Sequence, residues 1–391
     1  GGNIPMHDFV RDFATSIARR DKHVFLRKRS DEELPTSALL NSKNRSLKIP
    51  DTFFEGMGSL RVLDLTSLNL SSLPTSFRFL TNLKTLCLDL CILENMDAIE
   101  GLQNLEILRI WKSSMIKFPR EIGRLTQLRM LDLSNSGIEV LPPNILSSLI
   151  KLEELYMGNT SINWEDVNST VQNGNASIAE LHKLPSLTAL ELQIRETWML
   201  PRDMQVMFEK LNLFKIAIGD VWDWADIKDG TLKTLMLKLG TNIHLEHGIK
   251  SLIKGVENLY LDDVDGIQNV LYNLSADGFP LLKHLHIQNN ANMKHIVDSK
   301  ERNQIQVAFP NLDTIKLSSL LNLNKIWDDN YDSMHNLTSL IVDNCGGLKY
   351  LFSSTVVGSF NKLKHLEISN CAIMEEIIAK EEESNASKEV W

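Results

Sequence analysis

The chain has 391 residues, 43% of them hydrophobic and 23% charged, with a formal net charge of −9. That balance is ordinary for a soluble protein and argues against a nucleic-acid partner. No apolar run reaches the ~20 residues needed to cross a bilayer, and the four cysteines lack the paired spacing of a zinc site or a disulfide framework, which favours a reducing compartment.

The opening Gly1-Gly2-Asn3 has neither a methionine nor a signal peptide, so an upstream portion is expected to be missing. Phe9, Val10, Phe13, Ala14, Ile17 and Ala18 then mark one helical face behind Asp8, a suitable N-cap. His23–Arg27 reads as a short strand and Asp31–Asn44 as a linker or a damaged first turn, while Leu47-x-Ile49-Pro50 resembles the tail of a repeat whose strand is degraded. Residues 1–50 carry ten Lys/Arg against six Asp/Glu, or +4, which leaves −13 for the rest. Arg27-Lys28-Arg29 is read as a solvated strand end or a surface that docks on a missing domain.

From Leu60 onward the frame L-x-x-L-x-L recurs, with first aliphatics at Leu60, Leu83, Leu105, Leu128, Leu152, Leu187, Leu211, Leu232, Val256, Leu282, Leu312, Leu337 and Leu363. Most steps are 21 to 26 residues; the exceptions, 35 after Leu152 and 30 after Leu282, are polar insertions such as 163–176. This interval is that of leucine-rich repeats, about 20–29 residues. The fold class is therefore an α/β repeat: a leucine-rich repeat solenoid, or horseshoe, with a parallel sheet on its concave face and a short helical segment before it. Alternation within a strand sends Leu63 and Leu65 inward and Asp64 outward. Leu68, Leu70 and Leu73, ended by Pro74, close the return path of the first repeat, as Met115 and Phe118-Pro119 do in the third and Ile138 and Leu141-Pro142 in the fourth. One repeat cannot offset its own ordering entropy, so stacking carries the stability and the ends are weak.

Cys91, Cys345 and Cys371 fall at the Asn/Cys position of the repeat signature and are expected to stack inside as small hydrophobes. His284 and His286 lie two apart on one strand but have no evident third metal ligand, and Asp262-Asp263-Val264-Asp265-Gly266 lacks the alternating acids of a calcium loop. Neither a Gly-x-Ser-x-Gly elbow nor a phosphate-cradling G-x-x-x-x-G-K-[ST] loop occurs, so no enzyme is expected. The acidic 381–391 tail reads as a solvated end.

Met6-His7-Asp8 followed by Phe9-Val10-Arg11-Asp12, together with Ile49-Pro50-Asp51-Thr52-Phe53-Phe54-Glu55-Gly56-Met57, Ile218-Gly219-Asp220-Val221-Trp222 and Leu348-Lys349-Tyr350-Leu351-Phe352, resembles plant intracellular immune receptors (disease resistance proteins) of the coiled-coil, nucleotide-binding, leucine-rich-repeat class, in their C-terminal portion. The resemblance implies residues 1–30 as a remnant of the winged-helix end of a nucleotide-binding region, 31–58 as a linker and degenerate first repeat, and 59–380 as about 13 repeats. It implies that His7 matches a histidine touching the β-phosphate of ADP. Without the phosphate loop, His7 is a relic, and ADP or ATP enters only with an upstream nucleotide-binding domain; otherwise no cofactor is expected. It further implies a cytoplasmic location and a protein partner, either a pathogen effector, a guarded host protein or the receptor's own nucleotide-binding region. Binding should use the outward strand positions, where Trp, Tyr and Arg dominate hot spots. The expected patches are Arg109, Trp111, Asp132 and Tyr156, and Tyr260, Asp262 and His286. Two other readings are open. Eight N-x-[ST] sequons would suit an extracellular leucine-rich-repeat receptor ectodomain, and a ubiquitin-ligase substrate adaptor would need an F-box-like helical segment.

Overall fold

The computed structural model describes residues 37–40, 48–165, 174–196, 199–201, 205–219, 233–238, 247–264, 267–275, 278–296, 308–327, 334–354, 358 and 360–379. His7, the expected helix over residues 8–18, the strand at 23–27, the basic run at 27–29 and the acidic tail lie outside them. The chain divides into two compact units, 1–192 and 193–391.

In the first unit, β1 (Ser37–Leu39), β2 (Val62–Asp64), β4 (Thr85–Cys87), β6 (Ile107–Arg109), β7 (Met130–Asp132), β8 (Glu154–Met157) and β9 (Ala189–Ile194) form a ladder in that order. Its strand pairings among the described residues are parallel and in register, with Leu63, Leu86, Leu108, Leu131, Leu155 and Leu190 aligned across neighbours. Two further strands, β3 (Asn69–Ser72) and β5 (Ile92–Asn95), pair on the return path. The frame aliphatics are inaccessible: Leu60, Leu63, Leu65, Leu83, Leu86 and Leu88 are all 0% exposed. Each such side chain stabilises the stack by roughly 1.5–3 kcal/mol. Short 3-10 turns such as Thr75–Phe79 and Arg120–Arg124 complete the coils. The return-path residues Leu68, Leu70, Leu73, Met115, Phe118, Ile138 and Leu141 are all buried, as their spacing predicts.

Strand β1 is the part that the degraded frame hid. Ala38 pairs with Leu63 and the Leu40 amide donates to the Asp64 carbonyl at 2.7 Å, so a coil precedes the first full frame with alanine where a leucine is usual.

In the second unit, β10 (Leu213–Gly219), β11 (Thr234–Lys238), β12 (Asn258–Asp262), β13 (His284–Gln288), β14 (Thr314–Ser318), β15 (Ser339–Asp343) and β17 (His365–Ser369) form the ladder, again parallel throughout. On the return path β16 (Tyr350–Phe352) pairs with β18 (Glu376–Ile378). Helices Gln205–Lys210, His247–Lys254 and Val270–Leu274 serve the earlier coils. The last described coil is poorly covered, with Leu366 39% and Ile377 50% exposed.

One register differs from the sequence reading. The frame from Leu211 puts Lys215 at the central outward position, but Ile216 pairs with Leu235 and Ile218 with Leu237, so Ala217 stands there instead. The run from Leu211 to Ile218 offers apolar residues in both registers, and the longer strand pairs two residues further on.

After ten of the described ladder strands the backbone turns through the left-handed region at a residue other than glycine. In the first unit this slot holds Ser67, Leu90, Lys112, Asn135 and Asn159, and in the second Asp263, Asn289, Ser319, Asn344 and Asn370, with φ between 49° and 67°. Each lies seven residues after its frame marker. Asparagine and aspartate tolerate that conformation best.

Candidate functional site

Because the inward positions are consumed by the core, chemistry is left to the outward rows of each ladder. In the first unit the central row reads Asp64, Cys87, Arg109, Asp132 and Tyr156, neighbours in register, then Glu191. Asp89 and Trp111 stand two residues further along β4 and β6.

The guanidinium of Arg109 is the hub. Its Nη2 lies 3.0 Å from Asp89 Oδ2 and its Nε 3.6 Å from Asp132 Oδ2. The second oxygens of both acids are held by backbone: Trp111 N–H donates to Asp89 Oδ1 at 3.1 Å and Ser134 N–H to Asp132 Oδ1 at 3.0 Å. Burial pushes the Asp89 carboxyl up to about 6, since Arg109 only partly offsets desolvation and the nearby Asp132 charge. Burial also disfavours the Arg109 cation, but Asp89 and Asp132 outweigh it and the guanidinium is held above its ordinary value. Cys87, outward yet only 4% exposed, has its thiol pushed far up by burial and then by Asp64 and Asp89, so it is no nucleophile. The Tyr156 phenol is likewise pushed up, first by burial and then by Glu154, to whose Oε2 it donates at 2.8 Å.

The first expected patch is thus brought together, but its members differ in access. Asp132 is 3% and Tyr156 9% exposed, whereas Arg109 and Trp111 are half-buried. Along one edge of the face, Lys84 pairs with Glu106 at 2.6 Å and Arg129 grips Glu153 bidentately at 2.9 Å.

In the second unit the same row reads Ala217, Met236, Tyr260, His286, Lys316, Ile341 and Glu367. Tyr260 and His286 meet edge to face, 5.5 Å between centroids. Asp262 belongs to the scaffold rather than to the open surface: it is 1% exposed, takes a hydrogen bond from Asn289 Nδ2 at 2.8 Å and sits 3.4 Å from Lys238 Nζ. Burial, aided by Lys316, drives the His286 imidazole down to about 4 against the pull of Asp262, which keeps it neutral. His284 shares its face of β13, and burial lowers it too.

Cys91 and Cys345 stack inside at 1% and 0% exposure, while Cys371 in the last described coil is half-buried. Burial lifts the Cys91 thiol to about 11 and the Cys345 thiol to about 12. Among the described residues no group of three or more His, Cys, Asp and Glu is placed to hold a metal ion, and no helix is long and apolar enough to cross a membrane.

The fold has solved counterparts: a leucine-rich-repeat protein of Leptospira interrogans superposes with a TM-score of 0.59 at 19% identity, over 86% of this chain and 77% of that one. The family described as plant disease resistance protein RPS2-like, leucine-rich repeats, matches residues 230–372 and 329–389. A disease resistance protein of Arabidopsis thaliana is 26% identical over 94% of this chain and 42% of its own length. A second from that plant, named as a probable disease resistance protein, is 26% identical over 88% of this chain and 38% of its own. The chain spans about two fifths of the length of these curated relatives, and within that span it is a leucine-rich-repeat region related to those of plant disease resistance proteins.

Proposed function

We propose that this chain is the protein-recognition and autoinhibitory leucine-rich-repeat region of a cytoplasmic plant disease resistance receptor, which takes a pathogen effector or a guarded host protein on its sheet face. The observation that carries this reading is the joint one: relatives named for disease resistance align over nearly all of the chain, and its outward rows hold aromatic and charged side chains on a preformed ladder. Hot-spot residues work when a rigid scaffold presents them with little entropy left to lose. Trp111 and Tyr260, half-buried and braced by Lys112 and His286, meet that description. The chain is read as having no catalytic centre and no cofactor of its own, with His7 a relic of a nucleotide site completed only by an upstream domain.

Arg109 and Asp132 serve mainly to hold the face, so the test spares them. Once a protein partner has been identified, its affinity should fall at least about tenfold for the double variant Trp111→Ala, Tyr156→Ala, with the circular dichroism spectrum unchanged. Unaltered affinity would contradict the assignment of the first patch.

A further inference from the structure

In ten described coils a left-handed residue follows the ladder strand, and in all but two of these it suits that backbone. Most hold asparagine, aspartate or serine. Several asparagines also tie their coil to the one before: Asn159 Nδ2 donates to Asn135 Oδ1 at 2.9 Å, and Asn370 Nδ2 to Asp343 Oδ1 at 2.8 Å. In two successive coils of the first unit the slot holds Leu90, at φ 57°, and Lys112, at φ 55°. A leucine there bears the full steric strain of its Cβ against the carbonyl. Leu90 gains nothing for the fold in exchange, since it is 41% exposed and its hydrocarbon cannot tie one coil to the next.

These two residues adjoin the first patch. The Leu90 amide donates to the Trp111 carbonyl at 2.9 Å, and the Lys112 ammonium lies 5.6 Å from the Trp111 ring centroid. Leu90 and Trp111 thus make an apolar rim. Behind it, Asp89 and Asp132 flank the Arg109 guanidinium and Asp64 stands two strands away in the same row, so three carboxylates meet two cations, Arg109 and the Lys112 beside the indole.

We propose that the rim of Leu90 and Trp111, with Asp64 and Asp89 behind it, docks a protein segment that sets an arginine beside an apolar side chain. This deepens the protein-recognition reading and rests on it. The apolar group covers Leu90 and the indole. The arginine completes the charge of the row, because a planar guanidinium can both stack on the ring and grip a carboxylate with two hydrogen bonds.

The strained slot supplies a test free of the usual folding confusion. A short peptide alternating leucine and arginine serves as the probe, titrated by fluorescence anisotropy against the full chain. It should bind about tenfold or more tightly than a leucine/glutamate or a serine/arginine peptide. Leu90→Asn should weaken it about tenfold while raising the thermal midpoint, and Asp89→Asn should weaken it too. Equal affinity for the parent and both variants, or for the serine/arginine peptide, overturns the proposal, as does a lowered midpoint in Leu90→Asn. A Tyr260→Ala, His286→Ala chain separates the levels: probe binding lost there but kept in Leu90→Asn sinks the rim while protein recognition stands.

Discussion

In the first unit the central outward row runs Asp64, Cys87, Arg109, Asp132, Tyr156, Glu191; in the second it runs Ala217, Met236, Tyr260, His286, Lys316, Ile341, Glu367. The inward residues of the two ladders are interchangeable aliphatics, so the coil constrains one side only and leaves the other to be written freely. Freedom is limited by crowding. With neighbouring strands ~4.8 Å apart, outward residues bury one another, and a charge among them needs a counter-charge. The first unit answers with Arg109 between two aspartates, and the second with a neutral imidazole against a phenol.

The largest expected effect follows from that difference. Arg109→Leu leaves Asp89 and Asp132 half-buried or buried without their cation and should cost about 3–5 kcal/mol in urea unfolding. His286→Leu, which removes a neutral side chain, should cost much less. Equal losses would remove the distinction between the rows.

Acidification should move the units in opposite directions. Asp89 is raised in the folded state, from 3.8 to about 6, so between those values the native protein binds a proton the unfolded chain does not, and its contribution to stability grows as pH falls. His286 is depressed from 6.5 to about 4, so over that window the unfolded chain binds the extra proton and stability is lost as pH falls, by roughly 2–3 kcal/mol. Hydrogen exchange measured at pH 7 and pH 4.5, corrected for intrinsic rates, should show β13 loosening relative to β4. His286→Asn should flatten the trend, and a trend of equal sign in both strands would contradict the assigned environments.

Glycines offer a third contrast. A Cβ on Gly347 would sit 2.6 Å from the Leu323 carbonyl oxygen, against backbone, whereas the atoms nearest one on Gly158 belong to the Glu191 side chain. Gly347→Ala should therefore cost about 1–3 kcal/mol and Gly158→Ala a few tenths; the reverse order in thermal melts would mean the coils are spaced differently. Leu90→Asn should act in the opposite direction, with a gain of about 1 kcal/mol from relief of the left-handed strain.

Much of this was legible beforehand, and the rest hid for identifiable reasons. The frame aliphatics announce the strands because burial of Leu63, Leu86 or Leu108 tolerates little else. Period-two alternation shows that Asp132 and Asp262 point outward but not that their neighbours bury them to 3% and 1%. The frame from Leu211 points to Lys215 rather than Ala217 because Leu211–Ile218 is apolar in both registers, and only pairing with β11 decides. Strand β1 escaped because Ala38 stands where the pattern asks for leucine. The left-handed slot shows in the sequence as asparagine, aspartate or serine seven residues past eight frame markers, and Leu90 and Lys112 stand out only against that background.

The outward rows are the surface proposed to meet a protein partner. The most direct measurement places a photoreactive amino acid at Trp111 or Tyr260 and, as controls, at Ile116 and Val206, which are 68% and 60% exposed away from the ladder strands, and analyses adducts formed in plant cells. Protein adducts from positions 111 and 260, with none from 116 or 206, are the expected result. Adducts confined to the control positions would contradict it.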